Sequence, residues 1–139
     1  MAKIVLEPGL VINYTDLNPK GQPVVLLLHG LGATAVSWSF QLPALVESGF
    51  RVLAVDMRGF GGSTYPGGNN NPRIMSEDTA KFLSHLEISS THLIGISMGG
   101  TVALQFVLDH PSKVKSLVLI NTFVPRGSPI GYSMAFGSF

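Results

Sequence analysis

The chain has 139 residues, which is the size of one domain and is long enough to bury a sizeable core. It is apolar, with 45% hydrophobic and 12% charged residues, and its formal net charge of +1 gives no electrostatic case for binding nucleic acid. It contains no cysteine, which excludes disulfides, thiolate metal ligands and a cysteine nucleophile. No apolar run is long enough to span a membrane and the N-terminus does not read as a signal peptide, so we expect a cytoplasmic protein without membrane or nucleic-acid partners.

The predicted elements begin with two short strands and then alternate between strands and helices. The expected order is strands at 4–6, 10–14 and 24–28, a helix at 38–48, a strand at 51–55, a helix at 74–86, a strand at 92–96, a helix at 99–109 and a strand at 114–121. The run from Val24 to Leu28 is unbroken in its hydrophobicity, which is typical of a strand buried on both faces. Gly49 and Pro111 mark the ends of the first and third helices.

This alternation predicts an α/β fold with a mostly parallel sheet and helices on both of its faces. A glycine-rich loop is expected from Arg58 to Asn71. Glu77 and Asp78 are expected near the start of the second helix, where the helix dipole favours acids. Residues 1–122 form the predicted core, and residues 123–139 read as an unfinished tail at the start of a cap or lid.

The stretch Gly95-Ile96-Ser97-Met98-Gly99 carries the clearest chemical signal. It lies where an apolar strand meets a helix, and a G-x-S-x-G at such a joint is a nucleophile elbow. The turn is too tight for side chains beside the serine, which is why glycines flank it. The sequence therefore predicts an exposed Ser97 hydroxyl at the edge of the sheet.

Two further motifs follow predicted strands. His29-Gly30-Leu31-Gly32 follows the strand at 24–28, and the segment 56–63 (DMRGFGGS) follows the strand at 51–55. With the elbow, all three lie at the carboxyl ends of parallel strands, where open α/β sheets bind their ligands. Together and in this order they resemble the α/β-hydrolase fold family, from about the first residues to Asn121.

The resemblance implies roles for individual residues. Ser97 would be the nucleophile of an acyl transfer, and the backbone N–H groups of Leu31 and Met98 would form the oxyanion hole. The supporting positions are His29, Gly30, Gly32, Gly95 and Gly99. The alternative for the two glycines after the histidine is that they only permit a tight turn. His29 is expected to brace its loop by hydrogen bonds, and the segment 56–63 to serve as architecture.

The family keeps an acid and then a histidine after its serine, and this chain departs from that order. After the nucleophile it offers only Asp109 and His110, which close the helix at a distance of about 18 Å from the serine. His85 lies in the preceding helix and His92 at the wrong end of its strand. We therefore expect a fragment that lacks the C-terminal strands of the fold; the alternative is a short relative without the full chemistry.

A fragment of this kind would expose the strand at 114–121 as an uncovered edge. Unpaired strand edges pair readily with other chains, so we expect a tendency to self-associate.

The flanking segments narrow the reaction. Residues 38–45, 56–63 and 121–125 look like epoxide hydrolases, which carry an aspartate at the elbow. The serine and its surroundings, from Gly95 to Gly100, are closer to carboxylesterases and enol-lactonases. A small-molecule ester or lactone is therefore the first expected substrate, ahead of an epoxide or of C–C bond hydrolysis of a diketone-like compound. The competing class is a non-catalytic ligand-binding or interaction protein. No metal or organic cofactor is indicated.

Overall fold

A computed structural model of the chain describes residues 1–123, and the order of its elements follows the prediction. The strands are β1 (Ala2–Glu7), β2 (Leu10–Leu17), β3 (Val24–Leu28), β4 (Arg51–Val55), β5 (Thr91–Ile96) and β6 (Val114–Ile120). The helices are α1 (Leu42–Glu47), α2 (Pro72–His85) and α3 (Met98–Asp109), with short 3-10 turns at Ala35–Trp38 and Pro111–Lys113. Apart from Phe123, the predicted tail at 123–139 lies outside the described residues.

The strands form one six-stranded sheet in the order β1-β2-β4-β3-β5-β6. β3, β4, β5 and β6 are parallel, while β1 and β2 form an antiparallel hairpin whose second strand pairs with β4. In the register, Leu28 is paired with both Val55 and Gly95. The segments that follow β3, β4 and β5 therefore leave the sheet side by side at one edge.

Helices cover both faces of the sheet, which confirms the predicted α/β fold. The alternation of side chains along β3 sends Leu26 and Leu28 to the core under α2 and α3, and Val25 and Leu27 to the core under α1. All five residues of β3 are buried, as expected for a strand with helices on both sides.

The first helix is shorter than predicted. The sequence predicts a helix from Trp38, but α1 begins at Leu42, and Trp38 instead ends a 3-10 turn that Thr34 caps. The cause is Pro43, which has no N–H to donate and whose ring would clash with the Ser39 carbonyl in a continuous helix. At the start of α1 the proline is tolerated, because the first N–H groups of a helix have no intrahelical partner.

The second helix begins two residues earlier than predicted, at Pro72. Asn71 caps it by accepting a hydrogen bond from the Ile74 N–H at 2.9 Å. Glu77 and Asp78 consequently lie beyond the first turn, which contains no acidic residue, so their expected role at the helix dipole is wrong. Asp78 instead forms a buried ion pair, which is described with the site below.

The free edge of β6 leads to a testable prediction. Among the described residues β6 pairs only with β5, and Val118 lies 47% exposed on it beside an apolar groove of about 330 Å³. We expect the chain to self-associate through this edge, and Val118→Lys to weaken the association about tenfold by placing a charge on it. Sedimentation velocity over a concentration series measures both. Leu108→Lys on α3 adds the same charge at a similarly exposed position and should change nothing; a monomeric wild-type chain at all concentrations would contradict the prediction.

Candidate active site

Ser97 occupies the single residue between the end of β5 and the start of α3. Its backbone has φ 52° and ψ −117°, a region that residues with side chains rarely adopt and that costs about 1–3 kcal/mol. Hydrogen bonds on both sides hold it there. The Ser97 N–H donates to the Ile120 carbonyl at 3.0 Å, and the Ser97 carbonyl accepts from the N–H groups of Gly100 and Thr101 at 3.0 and 3.1 Å. The elbow is therefore a strained turn fixed by its neighbours.

Glycines allow α3 to pack directly against the sheet beside this turn. A Cβ on Gly99 would fall against the carbonyl groups of Leu28 and His29, and a Cβ on Gly95 would lie 2.7 Å from the Gly100 nitrogen. Both are closer than non-bonded atoms can approach. A packing role for Gly100 was not predicted: a Cβ there would lie 2.7 Å from the Thr122 Cβ. The available signal in the sequence was a second glycine directly after Gly99.

The Ser97 hydroxyl makes no hydrogen bond to any group within residues 1–123, and the residue is partly accessible. The loop after β3 lies opposite it. A Cβ on Gly30 would stand 3.6 Å from the Ser97 Cβ, in ordinary contact and not in a clash. A glycine at position 30 thus leaves open the side from which a ligand would approach the hydroxyl. Gly32 has φ +74°, a conformation that glycine adopts without strain.

Two backbone N–H groups near the elbow have no acceptor within the described part of the chain. Met98 is the first residue of α3, where helix geometry leaves the N–H without an intrahelical partner. Leu31 follows Gly30, and its N–H is likewise without an acceptor in residues 1–123. The positive end of the α3 dipole adds to the potential at Met98. Amides of this kind can bind a negatively charged oxygen.

His29 is fully buried, and both of its ring nitrogens are occupied. Nε2 accepts the Met57 N–H at 2.9 Å, which places the proton on Nδ1, and Nδ1 donates to the Gly30 carbonyl at 2.7 Å. Burial lowers the pKa of His29, opposed by the Gly30 carbonyl and by Asp56. The ring therefore braces the loop that carries Leu31 and has no free lone pair to accept a proton from Ser97.

The buried state of His29 predicts a loss of stability in acid. Because its pKa in the folded chain lies below the ordinary 6.5, unfolded chains take up a proton that folded chains do not as the pH falls. The stabilisation is complete above the ordinary pKa and is lost as the pH falls toward the lower folded value. Urea unfolding between about pH 7 and pH 5 should show this loss, and His29→Gln should reduce it. His85→Gln, at an exposed position, is the control. The prediction would be refuted if the free energy of unfolding fell equally with pH in all three proteins.

Asp56 joins three segments beneath the loop. Its carboxylate is 3% exposed and accepts hydrogen bonds from the Ala35 N–H (2.8 Å), the Asn13 side chain (2.9 Å) and the Gly62 N–H (2.9 Å). Burial acts to raise the pKa of Asp56, but these hydrogen bonds outweigh it and lower the pKa below its usual value. The Ser63 hydroxyl donates to the Asp56 carbonyl. The segment 56–63 thus holds the loop after β3 in place.

Arg58 and Asp78 form a buried two-point ion pair that the sequence analysis did not anticipate. The guanidinium donates to both carboxylate oxygens at 2.6 and 2.7 Å, and Glu7 lies 3.9 Å from the same group. The side-chain hydrogen bond to Asp78 raises the pKa of Arg58. The pair ties the loop after β4 to α2. No local pattern relates two residues that lie on a loop and on a separate helix.

The remaining histidines are remote from the serine. His92 lies at the amino end of β5 and bonds to Ser116 at 2.6 Å, while His85 lies in the last turn of α2. His110 follows α3 and contacts Glu77, and α3 is 12 residues or about 18 Å long. These and His29 are the four histidines of the chain, so none of its imidazoles is placed to act as a base for Ser97.

No group of three or more histidine, aspartate or glutamate side chains within residues 1–123 is arranged to hold a metal ion. None of the helices described there is long and apolar enough to cross a membrane.

The comparisons with known proteins agree with the α/β fold. The family model of the alpha/beta hydrolase fold matches residues 23–138, and the chain belongs to that family. Bifunctional epoxide hydrolase 2 of Sus scrofa is 34% identical over 125 residues, which is 88% of this chain and 22% of that protein. The crystal structure of a hydrolase from Pseudomonas aeruginosa superposes with a TM-score of 0.84 at 31% identity, covering 98% of this chain and 51% of that one. An esterase from Exiguobacterium antarcticum gives 0.78 at 32% identity, covering 87% and 45%.

These relatives are named as hydrolases, and esterases and epoxide hydrolases are both among them. The chain spans about a fifth of the length of the Sus scrofa protein and about half of the two solved structures. The chain is therefore a member of the α/β-hydrolase superfamily, and it corresponds to only a part of each of these relatives.

Proposed function

We propose that this chain carries the nucleophile and oxyanion hole of a serine hydrolase that cleaves a carboxylic ester or lactone. The observation that supports this most is the strained turn at Ser97, whose hydroxyl faces the loop of Gly30 and makes no hydrogen bond within residues 1–123. A protein gains no stability from holding a serine at positive φ, and such strain concentrates at functional sites.

In the proposed reaction the Ser97 oxygen attacks the carbonyl carbon of the substrate and its proton passes to a general base. The carbonyl electrons move onto oxygen, and the N–H groups of Leu31 and Met98 stabilise the resulting anion. Each such donor is worth about a hundredfold or more in rate. Collapse of the intermediate expels the alkoxide, which takes the proton back from the base and leaves an acyl group on Ser97. Water, activated by the same base, then releases the acid.

The base is proposed to be a histidine outside this sequence, oriented by a carboxylate that is also outside it. This follows from the positions of the four histidines, since the only one at the correct edge of the sheet, His29, has both nitrogens occupied. Residues 124–139 contain no histidine, aspartate or glutamate. The sequence would then be the N-terminal part of a longer enzyme.

Ester cleavage fits the serine better than epoxide opening, although epoxide hydrolases are among the relatives. A carboxylate that opens an epoxide forms an ester, which water can cleave to release the product. A serine hydroxyl would form an ether, which water does not cleave under the same conditions. The elbow residue here is Ser97, so an acyl group is the group proposed to become bonded to the enzyme.

A non-catalytic, ligand-binding member of the family is the second candidate, because the described residues bring no base to the serine. A fluorophosphonate probe and a p-nitrophenyl ester distinguish the two. Both would be applied to this chain and to the longer protein encoded by an in-frame continuation of its gene. Labelling of Ser97 with ester turnover by the longer protein is expected. If neither protein is labelled and neither turns over the ester, the hydrolase proposal is wrong.

A further inference from the structure

We propose that the site takes an uncharged, apolar substrate and that Leu31 helps to select it. This inference rests on the proposed function and names the chemical class of the substrate. It is carried by the distribution of charged and apolar side chains in the segments that follow the four parallel strands.

Charge is nearly absent from these segments. They are residues 29–41 after β3, 56–71 after β4, Ser97 after β5 and residues 121–123 after β6. Their only charged side chains are Asp56 and Arg58. Asp56 is 3% exposed with three internal donors, and Arg58 is 6% exposed and bound at two points to Asp78. These segments therefore offer neither a free cation for a carboxylate nor a free carboxylate for an ammonium group; the exposed Arg73 lies just beyond them, in the first turn of α2.

Exposed apolar side chains are concentrated in the same segments. Nine large hydrophobic residues of the described chain are exposed, and five of them lie here: Leu31 (76%), Val36 (67%), Phe40 (93%), Tyr65 (49%) and Phe123 (62%). Of these, Phe40 also lines the apolar groove beside Val118, on the α1 face of the sheet. Four of these five lie in the segments 29–41 and 56–71, which together contain only 29 of the 123 described residues. Apolar surface collected at one edge marks a place where an apolar group or another apolar surface binds.

Leu31 has the most direct position among these residues. Its own N–H is the proposed donor to the substrate oxygen, and it follows Gly30, which lies against the elbow. A group attached to the carbonyl carbon would therefore meet the Leu31 side chain as soon as the oxygen meets the Leu31 amide. A charged group placed there would lose water without gaining a partner, which is costly. An alkyl group would instead bury apolar area on both sides.

Three fluorophosphonates of equal chain length test the inference, with tails that end in a methyl group, a carboxylate or a trimethylammonium group. The rate of phosphonylation of Ser97 in the longer protein, encoded by the in-frame continuation of the gene, is followed by intact-protein mass spectrometry, and the site is confirmed by peptide mapping. The methyl-ended probe should react about tenfold faster than either charged probe. Leu31→Lys should raise the carboxylate-to-methyl ratio of rates about tenfold. Leu108→Lys adds the same charge at the 45% exposed Leu108 of α3, away from Ser97, and should leave the ratio unchanged.

The outcomes separate the inference from the function on which it rests. If none of the probes labels Ser97, the proposed function is wrong and the inference falls with it. If Ser97 is labelled but a charged probe reacts as fast as the methyl-ended probe, the function stands and the inference is overturned. Equal ratios for Leu31→Lys and Leu108→Lys would overturn the role of Leu31 alone.

Discussion

Replacing Ser97 with alanine is expected to abolish fluorophosphonate labelling and to lower ester turnover by the longer protein about a thousandfold or more. The substitution removes only the hydroxyl group, whose oxygen is proposed to form the bond to the carbonyl carbon. The loss should fall on kcat with little change in KM, since the amides of Leu31 and Met98 remain in place to bind the substrate oxygen.

Two matched variants show whether the effect belongs to the elbow. Ser89→Ala makes the same chemical change at an exposed residue before β5 and should keep full activity. Ser97→Gly removes the hydroxyl and also relieves the positive φ, so it should be inactive yet more stable than Ser97→Ala by about 1 kcal/mol. Turnover by Ser97→Ala close to that of the unmodified protein would show that another residue is the nucleophile.

Replacing Gly99 with alanine is expected to destabilise the fold by about 3 kcal/mol or more. The added methyl group would press on the carbonyl groups of Leu28 and His29, which belong to the backbone at the end of β3 and cannot rotate away. Relief would require α3 to move away from the sheet, and this movement would also displace the Met98 amide. Urea unfolding of the purified variants measures the loss in free energy.

Gly30→Ala is the matched control for stability, because its methyl group would meet the Ser97 Cβ at 3.6 Å in ordinary contact. We expect its free energy of unfolding to stay within about 1 kcal/mol of the unmodified chain. Equal stability of Gly99→Ala and Gly30→Ala would contradict the close approach of α3 to β3.

The sequence was sufficient for elements whose structure depends on neighbouring residues. β3 and β4 have the predicted bounds, because each is a five-residue, largely apolar segment that is too short for a helix and lies between residues typical of turns. The elbow at Ser97 was recognisable for the same reason, since the serine and its glycines are adjacent in the chain. The predicted starts of α1 and α2 were wrong, because both helices begin at or just before a proline and the prediction did not use this preference of proline for the first turn.

Contacts between distant segments were not predictable from one sequence. The pair Arg58–Asp78 and the bonds from Asn13 and Ala35 to Asp56 join residues that are 20 or more positions apart. Nothing in their local sequence distinguishes them from exposed polar residues. Their burial depends on how the sheet brings loops together, which only the folded chain specifies. The conformation of the loop after β3 was not predictable either, because its glycines are equally compatible with a simple turn.

The proposed pairing of the Ser97 nucleophile with two backbone amides can be measured directly in a crystal structure of the longer protein after a fluorophosphonate has reacted with it. The phosphorus should be bonded to the Ser97 oxygen, with the phosphoryl oxygen about 2.7 to 3.1 Å from the nitrogens of both Leu31 and Met98. A phosphoryl oxygen directed away from these amides, or phosphorus bonded to another side chain, would contradict the proposed site.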